Sequence, residues 1–179
     1  MKEYVIKTQR LGLRNWLDAD LAPFVKMSQD EEVMKFFPKL LNEEESINFI
    51  ERMQLHFKEH GFCYFAVDEL ATDTFIGFVG MLHQSFKSNY TPSIDIGWRL
   101  MKSAWGKGFA SEAAESCLAY AFSELKLNEV YAFATINNKV SETVMKKIGM
   151  HYIDTFNHPY LNDYDDLKKC IVYTKNRNQ

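Results

Sequence analysis

Ile94 to Cys117 reads IDIGWRLMKSAWGKGFASEAAESC, and the fold is decided by how this stretch changes character halfway along. It opens as a β-like run and turns through Trp105-Gly106-Lys107-Gly108-Phe109-Ala110. It then enters a helix with Ala110, Ala113, Ala114, Cys117, Leu118, Ala121, Phe122 and Leu125 on one wide face. Two glycines two residues apart permit tight backbone geometry, and Ala110 keeps the next turn free of bulk. A strand feeding a glycine turn at a helix N-terminus leaves unpaired N–H groups aimed at one point, at the positive end of the helix dipole. That is a site for phosphate or another anion.

Outward from this stretch, Glu129 to Ile136 (EVYAFATI) reads as the next strand, parallel to Ser93–Leu100 if the helix between them is an ordinary crossover. A shorter helix follows over Val140–Ile148, ended by Gly149, then strands His151–Phe156 and Leu167–Lys175 around the loop 157–166. Before the core lie strands Phe62–Asp68 and Phe75–Leu82, joined as a hairpin by residues 69–74; Gly77 and Gly80 hint at a bulge or close backbone approach. Earlier still, Tyr4–Leu13 reads as one strand, and Asp18 as the N-cap of a helix carrying Leu21, Phe24, Val25 and Met27. Asp30–Pro38 reads as a short turn or helix. Asn42 caps a helix with Glu43-Glu44-Glu45 in its first turn, which Gly61 ends. The order β-α-α-β-β-β-α-β-α-β-β predicts an α/β (α+β) fold: one mixed sheet flanked by helices, with one βαβ unit around the glycine turn.

At 179 residues the chain is expected to form a single domain over 1–179, and 46% hydrophobic residues supply a sizeable core. A net charge of −3 advertises neither nucleic acid nor an anionic membrane, and no apolar run or signal region points to a membrane or to export. Cys63, Cys117 and Cys170 are widely spaced without a CxxC pair, which fits a reducing cytoplasm rather than a disulfide framework or a zinc site. His56 and His60 stand at helical i,i+4 spacing but have no acidic or cysteine partner in a metal motif, so they read as exposed helix residues and no metal is expected.

The turn is not a P-loop, since nothing fits GxxxxGK[ST], and not a dinucleotide fingerprint, because the third glycine of GxGxxG falls at Ser111. It can still hold a pyrophosphate through backbone N–H groups, with Lys107 adding charge. The strand 129–136 ends in Asn137-Asn138, followed by Ser141; an asparagine there can bond the amides of an extended ligand, cap the next helix, or do both.

Taken together, I-G-W-R-L…W-G-K-G-F-A-S-E-A and N-x-x-S-x-x-x-M-K-K-I-G-M resemble the acetyl-CoA-binding core of the GNAT superfamily of N-acetyltransferases, and within it the Rim type that includes ribosomal-protein N-terminal acetyltransferases. Thr8-Gln9-Arg10-Leu11-Gly12-Leu13-Arg14 resembles that group's opening T-x-R-L-x-L-R, and Phe75-Ile76-Gly77 its I-G strand. The resemblance implies a mostly antiparallel sheet with two splayed parallel central strands. It implies acetyl-CoA as co-substrate and direct transfer of the acetyl group to a primary amine, either a protein N-terminus or a small molecule. The amides of Gly106, Lys107, Gly108, Phe109 and Ala110, flanked by Trp105 and Ser111, would wrap the CoA pyrophosphate. Ile96, Gly97 and Trp98 would bond the pantetheine arm, and an N–H there could polarise the thioester carbonyl. Asn138 and Ser141 would contact the arm from the neighbouring strand. A homodimer is compatible with this reading.

Two departures from the family pattern stand out. Trp105 occupies the place where an arginine or glutamine often opens the R/Q-x-x-G-x-G/A motif, as is usual for the Rim type. Met145 occupies the place where many members carry a tyrosine as general acid, so another acid or water must protonate the thiolate. The candidate base is Asp95, which alternates with Ile94 and Ile96 and is expected to face away from the apolar side; its alternative is an aspartate paired with Lys or Arg. Glu112 complements the helix dipole, and Cys117 belongs to the buried stripe. Phe36, Phe37, Pro38, Tyr90 and Tyr160 are candidate walls of the acceptor pocket, and Asp163, Asp165 and Asp166 candidate attractors of a cationic amine. Two other functions fit the same turn: a non-catalytic CoA-binding regulatory module, and a nucleotide-phosphate binder.

Overall fold

The computed structural model describes residues 2–178. Among them, eight strands form one sheet: β1 (Ile6–Lys7), β2 (Leu11–Arg14), β3 (Tyr64–Glu69), β4 (Thr74–Gln84), β5 (Ser93–Leu100), β6 (Glu129–Thr135), β7 (His151–Asn157) and β8 (Lys169–Asn176). Their spatial order is β1-β2-β3-β4-β5-β6-β8-β7. Every neighbouring pair is antiparallel except β5 with β6. The helices are α1 (Leu21–Ser28), α2 (Glu43–His60), α3 (Phe109–Ser123) and α4 (Lys139–Lys147). None of the helices is long and apolar enough to cross a membrane.

Strand alternation sends two different sets of side chains to the two faces. Phe78 of β4 joins Trp16, Phe24 of α1 and Phe49 of α2 in one aromatic cluster. Its neighbour Val79 turns the other way, toward Cys117 of α3, whose thiol reaches the Val79 carbonyl at 4.0 Å. So α1 and α2 cover one face and α3 the other. Met145 and Ile148 at the C-terminal end of α4 join the core that includes Ala113 and Ala132.

The structure amends the sequence reading at the N-terminus. Tyr4–Leu13 is a hairpin rather than one strand: residues 8–10 turn, and Ile6 pairs with Leu13. Asp18 opens a short 3₁₀ turn and caps nothing; Asp20 accepts the Leu17 N–H at 2.8 Å instead. Residues 30–38 form turns, one of the two forms expected of them. Asn42 does cap α2, with Glu45 bonding reciprocally to the Asn42 N–H, and left-handed Gly61 ends the helix. The β3–β4 ladder shifts register between Val67 and Asp68, opposite Gly77.

Under β2 lies a buried ion network. Arg14, 2% exposed, bonds Asp68 through Nε (2.7 Å) and Nη2 (2.8 Å), and Asp20 through Nη1 (2.7 Å) and Nη2 (2.8 Å). Burial opposes the arginine charge, but the two carboxylates hold its pKa above the ordinary value. This network ties the β1–β2 hairpin to β3 and to the entry of α1, which gives the second arginine of T-x-R-L-x-L-R a structural duty.

Candidate active site

The parallel pair is joined at one register position, Asp95 with Tyr131. Beyond it, residues 96–100 of β5 pair only with β4, and residues 132–135 of β6 only with β8. The sheet is therefore closed at Asp95 and open toward the C-terminal ends of both strands. Each end feeds a helix at the open edge: β5 leads through the glycine turn to α3, and β6 leads to α4.

At the closed end, Asp95 is 7% exposed. Ile94 and Ile96 face α3, as alternation requires, but the opposite face is itself covered, so Asp95 is buried rather than solvated. Among the described residues no lysine or arginine forms an ion pair with it. The Tyr64 hydroxyl lies 2.8 Å from both carboxylate oxygens and donates to them. Gln84 donates to that hydroxyl at 3.2 Å. Burial raises the Asp95 carboxyl to about 7, while the bonds from Tyr64 and Gln84 hold it back. A carboxyl poised near neutrality is suited to taking a proton at physiological pH. Tyr64 lies in van der Waals reach of Gly97: a side chain there would meet its ring at 3.2 Å. Gly97 leaves room for the phenol that covers Asp95.

Two residues further along the same face, Arg99 is half-buried and, among the described residues, has no carboxylate partner. Its Nε and Nη1 are buried and unbonded, and the guanidinium lies 3.8 Å over the Phe37 ring and 5.3 Å from that of Phe78. Burial pulls its pKa down to about 10. Tyr64, Gln84 and Arg99 were not among the sequence candidates. Tyr64 and Asp95 are 31 residues apart and meet only through the β3–β4–β5 register.

At the open end, the turn adopts the geometry its glycines allow. Gly106 (φ 72°) and Gly108 (φ 78°) are both left-handed. Gly108 is the N-cap of α3 and has no side chain to cap with. The first intrahelical bond is Glu112 N–H to the Gly108 carbonyl at 3.1 Å, so the preceding N–H groups of Phe109, Ala110 and Ser111 have no side-chain cap. By contrast, α2 and α4 are capped by asparagines. Trp105 donates its indole N–H to the Leu100 carbonyl at 2.9 Å, pinning the turn back onto β5. Glu112 is held by Thr8 Oγ1 (2.5 Å) and Arg10 Nε (2.6 Å), and Arg10 also reaches the Lys107 carbonyl at 3.0 Å. Burial opposes ionisation of Glu112, but these bonds together lower its pKa. The first half of T-x-R-L-x-L-R thus braces the glycine turn.

On the β6 side, Asn138 Oδ1 accepts the Ser141 N–H at 3.1 Å, so the side chain is the cap of α4. Met145 is 1% exposed and packed in the core, and supplies no proton. The candidate acceptor walls separate. Phe37 covers Arg99, whereas Tyr90 bonds Asp154 and belongs with Phe86, Phe133, Phe156, His158 and Tyr160 to a second aromatic group. Asp165 is paired with Lys168 at 2.5 Å. All three cysteines are buried and free, and burial pushes their thiols up, so none is a ready nucleophile.

Comparison with known proteins matches residues 10–151 to the acetyltransferase (GNAT) domain. The uncharacterized N-acetyltransferase YnaD of Bacillus subtilis is 32% identical over 93% of this chain and 87% of its own. A GNAT-family acetyltransferase of Bacillus anthracis superposes with a TM-score of 0.80 at 26% identity, covering 97% of this chain and 99% of its own. The spermidine N-acetyltransferase of Vibrio cholerae, solved with CoA and spermine, shares the fold at a TM-score of 0.73 and 18% identity, over 96% of this chain and 98% of its own. The matched region runs through the parallel pair, the uncapped glycine turn and the crossover helix, and the chain belongs to the GNAT family as an N-acetyltransferase.

Proposed function

We propose that the chain transfers acetyl directly from acetyl-CoA to a primary amine, with both substrates bound at once and Asp95 as the proton acceptor. The observation that carries this reading is the single-pair junction of β5 and β6, with a buried carboxyl at about 7 at its apex. In this reading the amides of Gly106 to Ala110 and Ser111 hold the diphosphate, beside Trp105. The arm lies in the gap along Ile96, Gly97 and Trp98, with Asn138 and Ser141 on the far side. Gly97 stands about 6.6 Å along the strand from Asp95 on the same face. That spacing suits proton transfer through a water or the Tyr64 hydroxyl. The amine nitrogen bonds to the acetyl carbon, its proton passes to Asp95, and the C–S bond breaks to release a thiolate, which takes a proton from water.

On the face that carries Asp95, Arg99 lies under the Phe37 ring. A half-buried guanidinium with Nε and Nη1 unbonded favours an acceptor that carries a carboxylate near its amine over a polyamine, because the incoming anion supplies the missing partner. Free-thiol release measured over a panel of amino acids, peptides and polyamines tests both parts. Turnover with carboxylate-bearing amines is expected. Binding of CoA without thiol release from any amine would favour the regulatory module, and calorimetric preference for ATP over CoA would favour the nucleotide binder.

A further inference from the structure

His83 stands 27 residues beyond His56 in the sequence, outside the i,i+4 pair His56 and His60, and the fold closes that separation. His83 lies near the end of β4, and β4 delivers it to the last two turns of α2. Ring centroids are 4.5 Å apart for His56–His60, 4.5 Å for His60–His83 and 5.1 Å for His56–His83. One ligand nitrogen from each lies within 4.8 Å of the other two. His60 is an exposed helix residue as expected, whereas His56 is half-buried and bonded to His83.

We infer that His56, His60 and His83 form a binding site for a borderline divalent cation of the Zn²⁺ type, outside the acetyl-transfer site. Orientation supports this first. His56 Nδ1 lies 2.7 Å from the Phe62 carbonyl, which can only accept, so Nδ1 carries the proton and Nε2 presents its lone pair. An imidazole fixed by a carbonyl on its other nitrogen is the usual outer-shell support of a metal ligand. That lone pair accepts from His83 Nδ1 at 2.9 Å and from the His83 backbone N–H at 3.4 Å; an ion between the two rings takes the place of the Nδ1 proton, which the imidazole carries on Nε2 instead.

Spacing supports it second. Three nitrogens on tetrahedral zinc, each at ~2.0–2.1 Å, lie roughly 3.3 Å from one another. The His56–His83 nitrogens stand 2.9 Å apart and the whole set lies within 4.8 Å, so small side-chain adjustments suffice to reach that spacing. The surroundings support it third. Phe62 backs all three rings, with centroids 5.0, 6.0 and 5.3 Å away. The rings sit at the C-terminal, electronegative end of α2, where a cation is favoured. Glu59 lies 3.8 Å from His60 Nε2. Three imidazoles with no thiolate select zinc, copper or nickel over magnesium or calcium, and leave a fourth position for water. A bound ion joins the end of α2 to β4, one residue before Gln84, which bonds the Tyr64 hydroxyl over Asp95.

Titration calorimetry with zinc sulfate on the whole chain decides the matter without reference to acetyl transfer. One equivalent with a micromolar Kd is expected, with Tm raised by roughly 5–10 °C at a hundredfold excess over Kd. His83→Ala and His60→Ala should each weaken binding by about 10–100-fold. His151→Ala, on the distant strand β7, should leave it unchanged. Circular dichroism of each variant separates lost ligation from lost folding, and His83→Gln provides a bulkier replacement should His83→Ala unfold. Absence of saturable binding below millimolar zinc, or equal binding by folded His60 and His83 variants, would overturn the assignment.

Discussion

Asp95→Asn is expected to make the protein more stable and nearly inactive. The carboxyl is raised from its ordinary 3.8 to about 7, chiefly by burial. Between those values the folded chain binds a proton that the unfolded chain has lost, so wild-type stability falls as pH rises from about 4 to about 7. Above pH 7 the whole penalty is present: about three decades at ~1.36 kcal/mol each, or at most ~4 kcal/mol. An asparagine carries no charge, still accepts from the Tyr64 hydroxyl, and must seat one amide N–H₂. Setting about 1–2 kcal/mol against that loss leaves a gain of roughly 2 kcal/mol, or about 4–8 °C in Tm for a chain of this size. The gain should be largest above pH 7, vanish near about pH 5 and become a loss of about 1–2 kcal/mol near pH 4, where only the cost of seating the amide remains. Loss of a general base lowers kcat/KM by about 10²–10⁴. The assay is thiol release with an acceptor amine of low pKa, so that the rise of kcat/KM through pH 7 reports the enzyme's own group. That rise should disappear in the variant. Asp95→Asn acting within about threefold of wild type, with an unchanged pH profile, would refute the assignment of Asp95 as base.

Three further expectations follow from neighbouring geometry. Tyr64→Phe removes a bond that lowers the Asp95 carboxyl, so the rising limb of kcat/KM should move to higher pH, measured in the same assay. Arg14→Met leaves Asp20 and Asp68 buried without their cation and should cost about 3–5 kcal/mol in urea unfolding, with Asp68 kept partly paired by Lys2 at 3.1 Å. Arg99→Met removes a half-buried cation with two unbonded buried N–H groups and should raise Tm. It should also raise KM for carboxylate-bearing acceptors about tenfold or more, and leave KM for neutral amines unchanged.

The fold was legible wherever structure follows from local sequence. The Asn42 cap with Glu45, the Gly61 stop, the β3–β4 hairpin and the apolar stripe of α3 are all short-range signals, and each element lies within a residue or two of its expected bounds. The hairpin inside 4–13 was not legible, because residues 8–10 contain no glycine, proline or asparagine. That turn is instead closed by Thr8 Oγ1, which accepts the Arg10 and Leu11 N–H groups. The candidate site divides the same way. The glycine turn and Asn138 lie in contiguous motifs, whereas the cover over Asp95, the Phe37 ring over Arg99 and the third histidine beside α2 come from distant strands and loops. An aspartate between two isoleucines looks solvated until α1 and α2 are known to cover the opposite face.

The two ends of the candidate site follow from one topological requirement. Parallel neighbours cannot be joined by a tight turn; the chain must leave β5 at its C-terminal end, cross over through a helix, and re-enter at the start of β6. The N-terminus of α3 is thereby forced onto the edge where β5 ends, and the first turn of α4 onto the same edge where β6 ends. Only one register pair holds the two strands together, so the edge that carries the uncapped N–H groups is also the edge that opens. From Asp95 to Leu100 the strand runs about 16–17 Å. An anion held at the turn is thus separated from the buried carboxyl by the length of an extended arm, whose amides can take the backbone positions that β5 and β6 leave unpaired. On the proposed reading, a ligand with a diphosphate but no such arm would fill the turn and leave the apex empty. The gap, rather than the glycines, is therefore what distinguishes this site from a nucleotide-phosphate pocket.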